Sequence, residues 1–379
     1  MKILMVASWF SSKNAPVLTA GIFHYEQSMS LQKYCETALL YPYDTDLNEN
    51  FSKKIEHGLL TYRCKYTPKS FKGSWIPDTL RDIALLRRVC KDYQPDVIHA
   101  HCCMPAGRAA VLFGKLYGYP VVITEHSPIE HMCLDSRSGK AQMHFTYKNS
   151  SANVCVSKDS MDRLGQHFPD CNYQVIYNGI MDPNSVPSDG HTYAKPNTIN
   201  CCIVAAFYSL DIKGYQFLIP AIRQLKDQGI HITLHICGGG DYQEHYQALA
   251  RQLEVDDRCV FYGQCSREKV YSIISQMDFS ISASIFECSG VSVEEAMLLG
   301  KPMLVTRSGG ANSLVTENTA IVVDRGSTEA ITEGIIQMIH KLPQFNPKTI
   351  QTYAFKNFEI DHVSKNYMAL YNSLTEKSK

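Results

Sequence analysis

The chain has 379 residues, too many for one ordinary hydrophobic core, so two domains are expected. Its hydrophobic share of 45% and charged share of 20% are those of a soluble globular protein. Lys plus Arg and Asp plus Glu both number 37, so no global field favours a nucleic-acid partner, and function has to come from local sites.

Fourteen cysteines are scattered, with adjacent pairs at Cys102-Cys103 and Cys201-Cys202 and no Cys-x-x-Cys spacing. They read as small buried hydrophobes in a reducing compartment. No ligands stand at zinc-site spacing, so no metal is expected. The apolar run at the start is too short for a signal peptide, and no stretch approaches the ~18 apolar residues of a membrane span. A cytoplasmic protein is expected.

Lys2 to Ala7 reads as a buried first strand, and a loop from Trp9 to Gly21, holding Asn14 and Pro16, leads into a helix from about Ile22 to Tyr34. Gly21, where the loop meets the helix, is either an ordinary turn glycine or a point of close backbone approach to a phosphate. Thr37 to Tyr41 is the second strand. The Asp44-Thr45-Asp46 that follows has the form of a metal-chelating Asp-x-Asp, but it precedes any complete nucleotide-binding unit and reads as a solvated loop. From Phe51 to Lys91 there are ten Lys or Arg against three Asp or Glu, with Phe71 and Trp75 interleaved with Lys69 and Lys72. Leu80, Ile83, Ala84, Arg87 and Arg88 continue this stretch as a helix with a basic rim, either a solvated outer face or a surface for anionic lipid.

Two more strands end at His101 (from Asp96) and near His126 (from Pro120), which puts both histidines at carboxyl ends, where loops build sites. Ser151 to Ser157 is a further strand and Asp159 to Leu164 a helix. Asn178-Gly179 reads as a positive-φ turn, and the Pro-rich stretch from Met181 to Asn200 as a linker. Ile199 to Ala206 starts a second domain, whose first loop ends in Lys213-Gly214 before a helix. Ile232 to Cys237 is the next strand. The Gly238-Gly-Gly-Asp241 after it is a partial dinucleotide fingerprint, with Gln243 where the third Gly belongs. Cys259 to Gly263 is a strand ending in glycine.

Chemistry is stated most plainly from Ser284 to Pro302, between strands at Asp278 to Ala283 and Met303 to Thr306. Val293, Ala296, Met297 and Gly300 fall at i, i+3, i+4 and i+7, so the run is a loop followed by a short helix. Glu287 lies in the loop and Glu295 off the buried helix face; Glu294 reads as a surface charge. The amides of Ser289 to Ser292 would be orphan donors at a helix N-terminus, a seat for a phosphate. Two carboxylates and an anion seat suit a nucleotide sugar.

Glu287 and Glu295, with Gly290 after the first, Ala296-Met297 after the second and Ser284 and Gly300-Lys301-Pro302 around them, resemble the Glu-x7-Glu motif of the retaining family-4 (group 1) glycosyltransferases. The resemblance runs from the first strand to a C-terminal helix marked by Val363, Tyr367, Leu370 and Tyr371. It implies a GT-B architecture: two Rossmann-like, doubly wound α/β parallel-sheet domains facing across a cleft. The division expected is 1–182 for the acceptor-side domain, 183–198 for the linker, 199–352 for the donor-side domain, and 353–379 for a helix crossing back to the first domain.

The resemblance further implies a metal-independent, cofactor-free hexosyl transfer with retention, from a nucleoside diphosphate sugar to a glycan or lipid-linked acceptor in surface-polysaccharide synthesis. Glu287, His126 and Lys213 take the catalytic roles. Gly21, Gly263, Ser284, Gly290, Val291, Glu295, Gly309 and Gly310 bind the donor, and His101 and Glu26 lie on the acceptor side. The chain departs from the family pattern twice: the arginine expected before Lys213 is Ala206 or Phe207, and a glutamate expected after Gly309-Gly310 is Ser313. A nucleotide-sugar epimerase of the same architecture, a weakly active nucleotide-sugar-binding protein and a dinucleotide oxidoreductase are the alternative readings. Residence on the inner face of a membrane would go with the basic segment.

Overall fold

A computed structural model describes residues 1–11, 21–67, 75–128 and 133–376. Asn14, Pro16, Lys69, Phe71 and Lys72 lie outside the described residues, as does the side chain of Trp75. The chain divides into two compact units, residues 1–179 with 360–379, and residues 180–359.

The first unit contains β1 (Lys2–Ala7), α1 (Ile22–Leu31), β2 (Glu36–Tyr41), β3 (Phe51–Glu56), β4 (Leu59–Cys64), α2 (Trp75–Tyr93) and β5 (Val97–His101). It continues through α3 (Arg108–Tyr117), β6 (Val121–Glu125), α4 (Arg137–Asn149), β7 (Ala152–Cys155), α5 (Lys158–His167) and β8 (Gln174–Val175). The second holds β9 (Ile199–Val204), α6 (Tyr215–Asp227), β10 (Ile232–Cys237), α7 (Gln243–Gln252), β11 (Cys259–Phe261), α8 (Arg267–Ser275) and β12 (Phe279–Ser282). After these come α9 (Val291–Leu298), β13 (Met303–Thr306), α10 (Gly310–Ser313), β14 (Ala320–Val323), α11 (Thr328–Lys341) and α12 (Pro347–Phe358). A last helix, α13 (Ile360–Glu376), returns to the first unit.

The first sheet has the order β3-β4-β2-β1-β5-β6-β7-β8 and is parallel except for the β3–β4 hairpin. Its central parallel strands β1, β5 and β6 are buried on both faces, as strands inside parallel sheets are. Leu4, Val6, Leu40 and Ile98 pack under α2 and α3, whereas the alternate residues Ile3, Met5, Leu39 and Val97 meet Val363, Tyr367 and Tyr371 of α13. Those three aromatic and aliphatic positions repeat every four residues, the spacing of one helix face. The β3–β4 hairpin is absent from the sequence reading, because its lysines made the segment look like a charged surface. Lys53 and Lys54 are in fact the exposed positions of an edge strand.

The second sheet, order β11-β10-β9-β12-β13-β14, is parallel throughout. Its order reverses between β9 and β12, so the loops leaving those two strands diverge at a switch point, where doubly wound folds bind ligands. Cys201, Ile203, Leu234, Phe279 and Leu304 pack beneath α6 and α11.

Three local expectations are corrected. Asn178-Gly179 is not a positive-φ turn; Gly179 is needed because a Cβ there would lie 2.8 Å from Cγ1 of Ile360. Asp44 is not solvated: it is buried and paired with the buried Arg63 at 2.7 Å. The return from residue 353 is not one helix, since the chain breaks at Glu359 between α12 and α13. Ile180 donates to the Phe358 carbonyl (2.8 Å) and bridges Glu359, which fixes the break. Among the described residues no helix is long and apolar enough to cross a membrane. Several of the described basic residues of the Phe51–Lys91 stretch are engaged locally, Lys53 with Asp92, Arg81 with Asp82 and Arg88 over the Phe51 ring.

Candidate active site

The loops after β9 and β12 are stitched together by a hydrogen bond from the Ile285 amide to the Ile212 carbonyl, 2.7 Å. This brings Lys213 and Glu287, 74 residues apart in sequence, into contact: Nζ lies 2.6 Å from Oε1. Ser284 donates its hydroxyl to the same oxygen at 2.8 Å. The main chain of Glu287 is fixed as well, donating to the Ser308 carbonyl (3.0 Å) and accepting from the Gly310 amide (2.8 Å). These bonds form a parallel bridge to Gly309. The lysine and glutamate side chains are 30% and 20% exposed, so a ligand can reach a pair whose geometry is set beforehand.

Glycine at 310 is demanded by this approach, because a Cβ there would lie 2.2 Å from the Cys288 carbonyl carbon. Gly290 caps α9 with φ 147°, a conformation that side-chain-bearing residues rarely adopt. Val291, the first helical residue, is 40% exposed. The Val293 amide already donates to the Gly290 carbonyl (2.8 Å), which leaves the amides of Val291 and Ser292 as the donors at the tip of α9, where the helix dipole adds positive potential. Lys213 and this helix end both present positive charge at the carboxyl edge around Glu287.

Glu295 is 9% exposed and accepts a hydrogen bond from Tyr271 of α8 at 3.1 Å. Its neighbour corrects the sequence reading. Glu294 is fully buried, not a surface charge; Ser289 donates to its Oε1 (2.9 Å), and burial pushes its carboxyl up to about 8. The reason is that α9 is packed against both α8 and α12, so six consecutive residues, Val293 to Leu298, are buried.

Phe207, one of the two positions expected to carry a cation, is core: it stacks on Tyr215 with ring centroids 4.4 Å apart and also meets Tyr246. A cation that sequence reasoning missed is Arg325, which donates to the Ile285 carbonyl (2.8 Å) and lies over the Phe286 ring. It braces the loop that carries Glu287. Ser313 turns back to the Gly310 carbonyl. The glycines at 238–240 pack on the loop after β9, where a Cβ on Gly238 would lie 2.0 Å from the Ala205 carbonyl oxygen, and α7 starts only at Gln243. Their spacing therefore serves this packing, not a dinucleotide turn. Gly263 sits beside them, its carbonyl accepting from the Gly238 amide.

In the first unit, Gly21 is the left-handed N-cap of α1, and Glu26 on that helix is buried. His101 ends β5 and His126 follows β6; Nδ1 of the first and Nε2 of the second are 2.9 Å apart. Burial pushes His126 down to about 3 and His101 well below its usual value, so both rings are neutral at pH 7. Two neighbours were missed. His24 of α1 lies 4.2 Å from His101 between ring centroids, and His99 stacks on the other side at 4.5 Å. His99 and His101 share a strand face by their spacing of two, a signal the sequence did contain; nothing in the sequence marks His24. Glu125, also missed, accepts from the amides of Cys103, His126 and Ser127 and from Tyr147, and so fixes the loops after β5 and β6. The fold thus assembles histidines that showed no metal-site spacing in sequence: one ring nitrogen each from His24, His101 and His126 fall within 4.8 Å of one another. A second group, His144, Asp170 and Cys171, meets the same distance criterion.

Two family models match the chain: Glycosyltransferase Family 4 over residues 49–182, and Glycosyl transferases group 1 over residues 201–351. An uncharacterized glycosyltransferase of Methanocaldococcus jannaschii is 23% identical over 331 residues, covering 82% of this chain and 90% of that protein. The GPI3 subunit of phosphatidylinositol N-acetylglucosaminyltransferase from Saccharomyces cerevisiae is 21% identical, covering 86% of this chain and 74% of its own length. Among solved structures, sucrose-phosphate synthase from Thermosynechococcus elongatus superposes with a TM-score of 0.79 at 16% identity, covering 99% of both chains. Anabaena HepE in complex with UDP does so with a TM-score of 0.74 at 18% identity, covering 98% of this chain and all of that one. The chain belongs to the group 1, family 4 glycosyltransferases, with their GT-B fold.

Proposed function

We propose that the chain moves a sugar, with retention of configuration and without a divalent ion at the diphosphate, from a nucleoside diphosphate sugar to a glycan or lipid-linked acceptor. The observation that carries this reading is the Lys213–Glu287 contact at 2.6 Å, made by the two loops that leave the switch point of the second sheet. In the reading, Lys213 and the amides at the start of α9 neutralise the leaving diphosphate, stabilising charge that develops in the transition state. Glu287, held by Ser284 and Lys213, hydrogen-bonds the sugar hydroxyls. Glu295, oriented by Tyr271, binds the ribose diol, and His126 touches the transferred sugar as the family resemblance implies. Both glutamates position the donor; neither is an acid–base partner.

UDP in the HepE complex and the phosphatidylinositol acceptor named for the yeast relative support a nucleotide-sugar donor and a lipid-linked acceptor. Peripheral contact with an anionic membrane is a separate part of the proposal, and co-sedimentation showing no preference for acidic vesicles at low salt removes it. The transfer itself is tested by incubating the chain with UDP-, GDP- and ADP-sugars and an extracted lipid acceptor, then reading nucleotide release and the anomeric configuration of the product. Acceptor-dependent release with retention is expected. An inverted product, or nucleotide-sugar consumption that ignores the acceptor, overturns the assignment.

A further inference from the structure

His24, His101 and His126 come from three separate elements, and each places an imidazole at one point inside the first unit. Their surroundings are those of a ligand site with its ligand side open. Both ring nitrogens of His24 and Nε2 of His101 are buried with no hydrogen-bond partner, although a main-chain group of Trp9 approaches the His24 ring. Buried ring nitrogens left without a partner are costly, so their presence in this cluster requires an explanation. The neighbouring His99 shows the contrast. Its ring is equally buried, yet Tyr371 and Thr124 satisfy both nitrogens at 2.7 Å, so it is a packed structural histidine.

Other features of the cluster suit an ion. His101 Nδ1 and His126 Nε2, hydrogen-bonded to one another at 2.9 Å, would have to part only to the ~3.3 Å between ligands at tetrahedral zinc, given Zn–N bonds of about 2.0–2.1 Å. An ion seated there would take the place of the N–H shared by His101 and His126, that proton moving to another ring nitrogen or to solvent. Phe23 and Trp9 wall the group, with Phe23 centred 4.1 Å from His24 and 4.5 Å from His126. Glu125, next in the chain to His126, accepts from the amides of His126 and Ser127 and so fixes the loop that carries this histidine.

We propose that His24, His101 and His126 form a three-imidazole site for a borderline divalent transition-metal ion, Zn²⁺ or Co²⁺, with a fourth position open to water. Imidazole ligands select such ions over Mg²⁺ or Ca²⁺. The ion would tie α1 to the ends of β5 and β6. It is distinct from a counter-ion for the donor diphosphate; the ion would take Nε2 of His126 and leave Nδ1 for the sugar contact proposed above, and its binding is read without any sugar transfer.

The full chain, stripped with a chelator, is titrated with Co²⁺ alone while its visible absorption and melting temperature are followed. One equivalent is expected to give the intense d–d bands of a four-coordinate ion and to raise Tm by ligand linkage, and Zn²⁺ should bleach the bands. His24→Leu and His126→Asn should each weaken Co²⁺ binding by on the order of 100-fold, while His144→Ala, in the other candidate group, should leave it unchanged. His126 is only partly buried, so the second variant and the wild-type spectrum decide the matter if His24→Leu does not fold. Wild-type protein showing only the pale spectrum of hydrated Co²⁺ with no Tm shift overturns the proposal, as do bands that survive His126→Asn or vanish in His144→Ala.

Discussion

Glu294 offers a sharp test of the packing around the loop that carries Glu287. Its carboxyl is fully buried in α9, with Ser289 as donor to one oxygen, and burial raises it from 4.5 to about 8. The folded state therefore keeps a proton that the unfolded chain releases. Stability from this group is fully present below about pH 4.5 and is lost as pH rises through about 8. A shift of that size corresponds to on the order of 4–5 kcal/mol, and relaxation around the ionised group brings the expected loss to roughly 3 kcal/mol. Glu294→Gln keeps an acceptor for Ser289 but cannot ionise. Urea unfolding of both proteins from pH 5 to 9, followed by circular dichroism, isolates the effect, since titrating groups that do not interact with Glu294 cancel in the difference. The variant should gain on the wild type steadily as pH rises. Curves that stay parallel within about 0.5 kcal/mol, inside the error of extrapolation, would refute the reasoning.

Other outcomes follow from particular contacts. Arg63→Met leaves Asp44 charged and buried, so a loss of about 3–5 kcal/mol is expected in denaturant unfolding, most of it recovered when Asp44→Asn is added. Tyr371→Phe removes the partner of His99 Nδ1 and should cost about 1–3 kcal/mol, lowering the melting temperature of the unit that α13 completes. Glu287→Ala should lower kcat far more than it weakens nucleotide affinity, and Glu295→Ala should do the reverse; steady-state kinetics with calorimetric nucleotide titration separates the two. Equal, small effects from both would count against their assigned roles.

The alternating sheets were legible because buried parallel strands write themselves as short apolar runs, such as Met303 to Thr306, bounded by glycine and loop residues. Charge patterning misled where burial is set by distant partners. Asp44 looked solvated because Arg63 lies 19 residues on, in a strand hidden by its basic neighbours. Glu294 looked exposed because amphipathic periodicity assumes one solvent face, whereas α8 and α12 cover α9 from more than one side. The Lys213–Glu287 pairing was accessible only through family resemblance, since no local pattern links residues that meet through strand order. His24 was illegible for the same reason, its significance arising from strands β5 and β6 that approach α1 only in the fold.

Lys213 is where the account is most exposed, because Ala206 or the buried Phe207 stands where the family resemblance implies a second cation. Isothermal titration of UDP, GDP and ADP into the wild type and Lys213→Ala measures what that one ammonium contributes. At least one nucleoside diphosphate should bind the wild type, and the alanine variant should bind it at least about tenfold more weakly, as expected for losing a charge-assisted phosphate contact. Equal affinity in the two proteins, or no nucleotide binding by the wild type, would place the donor elsewhere and contradict the account.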